Sequence, residues 1–260
     1  RLAQAFLQSE DHSTHPTGFP TYRFWRELWY RWDGISYQRV HHTELRGLIA
    51  SFVRKEFDRL NVEDLKSAGA SGGEPPTAMA VSNPLVSNIL LAMTGICLVA
   101  GEVTMPYWLD NRPHSQQDGK HWICLRNGLI DVRTLLAGEA CETPPEVIPH
   151  TPAFFSNVSI PYDYDESATC PTWDNFIVTN FEGDQDRIAI LQEWYGYNLV
   201  HDLTHQKFLM LEGEGNNGKS VICAVLSALL GPDNVSSVSL ENFEKDFHLT
   251  STLGKLANIV

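Results

Sequence analysis

Residues Gly213-Glu214-Gly215-Asn216-Asn217-Gly218-Lys219-Ser220 have the types and spacing of a phosphate-holding loop. Glycines let the backbone curl so that successive N–H groups point at one phosphate. A helix that starts at the end of the loop, with Val221 in its first turn, adds partial positive charge toward the same point. Lys219 can reach β- and γ-phosphates as a mobile cation, and it is the candidate catalytic side chain. The Ser220 hydroxyl can bind magnesium. The expected ligand is ATP with Mg2+. The bland alternative, a Gly/Asn-rich turn before a buried helix, leaves Lys219 unexplained.

The loop must be positioned by its neighbours. Lys207-Phe208-Leu209-Met210-Leu211 reads as a buried strand. Ser220 to Leu230 reads as a nearly all-apolar helix, and Gly231-Pro232 stops it. Strand, loop and helix follow in the order that phosphate binding requires. Upstream, helices are predicted around Pro171 to Asn180 and Gln185 to Tyr195. Before them, Asp163, Asp165, Glu166 and Asp174 could bind a metal or do acid/base work, or simply cap turns and the next helix.

Trp122 to Leu125 and Leu129 to Val132 flank Arg126-Asn127-Gly128, a strong hairpin signal. Ala137 to Phe155 reads as irregular. Residues 1 to 21, with His12 and His15, read as a polar linker or arm. In the aromatic block that follows, Trp25, Leu28, Trp29 and Trp32 have helix-compatible spacing. Asp33-Gly34 is a turn and Tyr37 to Val40 a strand. Arg23, Arg26, Arg31 and Arg39 among those aromatics could bind phosphates while the rings stack bases, or the block could be an ordinary core element. Thr43 to Leu60 is an amphipathic helix, residues 67 to 77 a surface loop, and Asn83 to Val99 a buried helix.

The net charge of the 260 residues is -13. Residues 1 to 60 carry a balance of +2, while residues 151 to 260 carry -10. A chain this acidic does not coat nucleic acid nonspecifically, so any DNA contact must be local. Five scattered cysteines without a CxxC pair argue against a disulfide framework or a zinc site. No apolar run is long enough to span a membrane and no signal peptide is expected, which gives a cytoplasmic expectation. A first residue of Arg1 suggests a piece of a longer protein.

Several segments in order resemble phage and plasmid primase–helicases of the poxvirus type: YRWDGISYQRV, LRNGLIDVRT, HTPAFFSNVSIPYDYDESATCPTW, LQEWYGYNL, QKFLMLEGEGNNGKS and SSVSLENFEKDFHLTSTLGKLANIV. In that family the loop has the form GxGxNGKS, which Gly213, Gly215, Asn217, Gly218, Lys219 and Ser220 fit. The resemblance implies a superfamily 3 helicase preceded by a helical domain, acting in DNA replication as a homo-hexameric ring on single-stranded or forked DNA. It implies a mainly α N-terminal domain with a β-hairpin (22 to 160), then the first part of an α/β P-loop, AAA+-like domain (161 to 260). It also implies that Leu256 to Val260 enter the acidic Walker B strand, with that motif, the sensor and the arginine finger lying beyond, so that residues 1 to 260 by themselves would turn over little ATP. The competing readings are a P-loop small-molecule kinase, which would need a lid and acceptor site after the loop, and an oligomerisation or binding module with a structural nucleotide.

Overall fold

The computed structural model describes residues 1–9, 15–16, 18–71, 79–133, 144–215, 217–242 and 250–260. The chain divides into two compact units, 1–33 with 37–104, and 34–36 with 105–260. The boundary expected near residue 160 therefore falls inside the second unit.

In the first unit, the segment read as a linker begins with a helix, α1 (Leu2–Gln8), whose Ala3, Phe6 and Leu7 are buried. Phe6 sits edge-on to Phe52 at 5.5 Å between ring centres. Its apolar residues are core, not a solvated arm, because they recur on one helical face. The aromatic block is not helical. Tyr22–Trp25 (β1), Leu28–Trp32 (β2) and Tyr37–Val40 (β3) form a three-stranded antiparallel sheet. Trp25 pairs with Leu28, leaving Arg26 and Glu27 as a two-residue turn with φ of 47° and 64°. That geometry is normally signalled by Asn or Gly, and neither is present. Aromatic side chains favour a pleated surface, and here that preference outweighs an accidental helical spacing.

Helix α2 (His42–Ser71) buries Leu45, Ile49 and Val53, four residues apart. It runs past Leu60 and takes in the start of the expected loop, where alanines favour helix; residues 72–77 of that loop lie outside the described residues. Helix α3 (Asn83–Cys97) starts as expected, capped by Ser82 Oγ accepting from Leu85 N at 3.4 Å. It is buried on one face only: Val86, Ile89, Leu90, Met93 and Cys97 are inside, while Leu91 is 73% exposed. The described residues of the first unit form three helices and three strands around one core, while the hairpin expected in the same 22–160 domain lies in the second unit.

In the second unit, β4 (Tyr107–Trp108) pairs with β7 (Phe154–Phe155), and β5 (Trp122–Leu125) with β6 (Gly128–Asp131). Helices α4 (Pro171–Asn180), α5 (Gln185–Asn198) and α6 (Lys219–Leu230) pack around Ile177, Leu191, Ile222 and Leu226. Two-residue strands β8 (Val235–Ser236) and β9 (Ala257–Asn258) pair in parallel.

The run 207–211 is extended but is not a strand, since no other strand pairs with it among the described residues. Its side chains still alternate. Leu209 and Leu211 pack on the α6 cluster, while Phe208 and Met210 are 83% and 72% exposed. Among the described residues this region offers α6, the extended 207–211 run and one short parallel pair, and no P-loop domain is shown.

Candidate nucleotide-binding loop

The loop leaves the 207–211 run and ends on α6. Gly218 is the residue before the helix and has φ 77°, a left-handed conformation that favours glycine. A β-carbon there would lie 2.8 Å from Asn180 Oδ1 and 2.8 Å from Phe176 Cζ, both on α4. Helix α4 is thus the wall against which the turn closes.

Lys219 folds back over the loop. Its ammonium donates to Gly213 O at 2.7 Å, Glu214 O at 2.9 Å and Asn217 Oδ1 at 2.7 Å, which uses all three of its protons. A β-carbon on Gly213 would come 2.1 Å from Asn217 Nδ2, so that glycine leaves room for the asparagine that holds the lysine. Gly215 is exposed, and so are Ser220 and Val221 on the first turn of α6. Asn216 lies outside the described residues.

Two tyrosines fasten α6 to its surroundings. Tyr195 on α5 donates to Ile222 O at 2.6 Å, and Tyr162 donates to Leu229 O at 2.7 Å. Burial pushes both hydroxyls up to about 12. These anchors were not singled out in the sequence; their position in LQEWYGYNL and SIPYDYD carries no signal for a hydrogen bond to a helix carbonyl.

The other candidate residues do not join the loop. Asp163 forms a two-pronged pair with Arg126, at 2.9 Å to both Nε and Nη2, and that guanidinium holds its carboxyl below the usual range. Asp165 accepts from Ser167 N and Oγ, which lowers it likewise. Asp174 accepts from the Cys170 thiol at 3.4 Å. Among the described residues no group of three or more His, Cys, Asp or Glu could hold a metal. Cys97, Cys124, Cys170 and Cys223 are not in disulfides; Cys141 lies outside the described residues.

The aromatic–arginine block is mainly core. Tyr22, Arg23 and Trp29 are buried. Arg26 stacks 4.3 Å over Trp25 and donates to Gly101 O. Arg39 points out. Of the described helices none is long and apolar enough to cross a membrane.

Residues 22–182 match the family model described as D5 N terminal like. The chain belongs to the D5 N-terminal-like family. This is the N-terminal domain of D5-like phage and viral primase–helicase proteins, which gives the chain a primase–helicase-associated role in phage or viral replication. The D5 N-terminal-like match includes the three-stranded sheet, the 122–131 hairpin and α4, and it ends before the loop at 213–220. No curated protein matches the chain.

Proposed function

We propose that Gly213 to Ser220 bind ATP with Mg2+, and that this site drives a superfamily 3 helicase in which the D5 N-terminal-like region is the accompanying domain. The observation that carries the reading is the closure of the loop on Lys219, with Gly218 left-handed at the start of a 12-residue helix. The donor set fits a triphosphate. Lys219 sits inside a ring of backbone that carries N–H groups on the same short turn, and its three loop acceptors can be exchanged for phosphate oxygens of higher charge. Ser220, next to it and exposed, would bind magnesium. The bound nucleotide would supply the phosphoryl-transfer energy. The chain's own part is to hold the β- and γ-phosphates and to balance their charge through Lys219 and the α6 N-terminus.

The expected partners are single-stranded or forked DNA and further copies of the protein in a ring. The decisive experiment titrates a fluorescent ATP analogue with Mg2+ against the wild-type chain and Lys219→Ala. Loss of at least about tenfold in affinity is expected, since a charge-assisted contact to phosphate is removed. An unchanged affinity sinks the nucleotide reading. The helicase reading adds that ATP turnover by the intact protein rises with single-stranded DNA and that Lys219→Ala abolishes the rise. Turnover indifferent to DNA would leave a nucleotide site without a helicase.

A further inference from the structure

A groove of about 460 Å³ lies within the first unit, among β2, β3, the start of α2 and the exposed side of α3. Its size is that of a small-ligand site. Its lining includes Arg39, His41, His42 and Arg46 together with the apolar Leu28 and Leu91, and Glu27 is its one acidic member. Arg39 stands exposed on β3. Arg46 is fixed across the groove by donating Nη1 to Ser87 Oγ on α3 at 3.1 Å. His41 Nδ1 accepts from Thr43 N at 3.3 Å, which leaves Nε2 as the nitrogen that carries its proton. Among the described residues none of these four basic side chains has a carboxylate within salt-bridge distance. Within a chain of net charge -13, this is a local concentration of cationic and donor groups with a single carboxylate, Glu27, in the lining.

We propose that this groove binds the phosphate of a nucleotide unit, gripped by Arg39 and Arg46, with the base or sugar resting on Leu28 and Leu91. Forked guanidinium donors match phosphate oxygens, and the neighbouring apolar shelf suits the flat, weakly polar remainder of a nucleotide. An acidic peptide would use the arginines and leave Leu91, 73% exposed, uncovered. The same chemistry can come from a nucleic-acid strand or from a free nucleotide. The inference does not rest on the loop at 213–220.

The test uses the Lys219→Ala chain without magnesium, so that the loop contributes nothing. Anisotropy of a labelled oligo-dT and of labelled AMP is followed at low salt. In Arg39→Gln/Arg46→Gln, affinity should fall roughly tenfold, and for the oligonucleotide the log–log salt slope should flatten by about 0.7, one phosphate contact's worth for a single strand. Leu91→Glu, which alters an exposed side chain and cannot disturb the core, should weaken binding in the same direction. Loss confined to oligo-dT identifies a strand as the ligand, and loss confined to AMP identifies a free nucleotide; either supports the site. No binding of either ligand, affinities unchanged in both variants, or competition by poly-glutamate as effective as by oligo-dT would overturn it.

Discussion

The second unit contains two Asn-Gly steps, and they are put to opposite uses. At Arg126-Asn127-Gly128 the turn's side chains are tied to the 162–164 segment beside it. Asn127 exchanges two hydrogen bonds with the backbone of Tyr164, both at 3.0 Å, while Arg126 N donates to Tyr162 O and its guanidinium holds Asp163. At Asn217-Gly218 the asparagine bonds to Lys219, a residue of its own loop, and the glycine turns the chain into α6. The first is a joint whose asparagine and arginine are held by fixed neighbours. The second is held by one flexible ammonium, whose bonds can be exchanged for those of a ligand. One dipeptide signal thus marks a structural clamp in one place and a candidate binding loop in the other, and the difference lies in what stands opposite it.

The sharpest way to break this contrast is to add a methyl group at a glycine of each loop, Gly128 in the hairpin turn and Gly213 in the loop that Lys219 closes. In Gly128→Ala the new carbon would meet the backbone Ile148 O at 2.5 Å and Val147 Cγ1 at 2.5 Å. A backbone neighbour cannot step aside, so urea unfolding should show a loss of about 3 kcal/mol. In Gly213→Ala the obstacle is the Asn217 side chain, which can rotate. There nucleotide affinity should fall, while the stability loss, confined to the strain of a positive φ of 155°, should be smaller than at Gly128. Equal stability losses at the two sites would erase the distinction.

The next effect is on ligand and not on fold. Lys219→Ala should cut nucleotide affinity by at least about tenfold and leave the unfolding free energy within about 0.5 kcal/mol of wild type.

Two pH limits come third, and both concern what holds the loop's helix and the hairpin side of the unit. Tyr162 and Tyr195 ionise only near 12, against 10.0 for a free phenol. The folded state keeps protons that the unfolded chain releases, so their stabilisation is full below pH 10 and is lost as pH rises toward 12. The midpoint temperature should decline across that window, and Tyr162→Phe/Tyr195→Phe should flatten the decline. His201, whose backbone N–H donates to Lys120 O, is buried enough to lower its imidazole from 6.5 to about 4. The unfolded chain binds the proton first, so stability is present above pH 6.5 and drains as pH falls toward 4. Replacing His201 by Gln should remove that limb of the midpoint-versus-pH curve.

The smallest effect belongs to the most visible ion pair. Arg126 and Asp163 are both largely exposed, and such pairs contribute little once screened by water. Arg126→Ala should leave the unfolding midpoint unchanged within error, because Asn127 and the backbone of residue 126 still hold the turn. A clear loss would show that the charge pair, not the backbone clamp, is what fixes this joint.

The sequence by itself determined the elements whose signals are local. The 122–131 hairpin, α4, α5, α6 with its stop at Gly231, and the start of α3 are all where periodicity, Asn-Gly and Pro place them, because short-range sterics and one apolar face suffice to specify them. The loop's composition was legible for the same reason: glycines, one lysine and one serine at fixed spacing have few other uses. Only the tertiary structure decided the rest. Trp25 to Trp32 is a hairpin because its rings pack on a sheet, which spacing alone could not distinguish from a helix. Residues 2–8 are core because Phe52 and Tyr22 are there to receive Phe6. The 207–211 run is extended without being a strand because a strand exists only with a hydrogen-bonded neighbour. The groove at Arg39 and Arg46 joins residues from separate elements, so no window of sequence could display it.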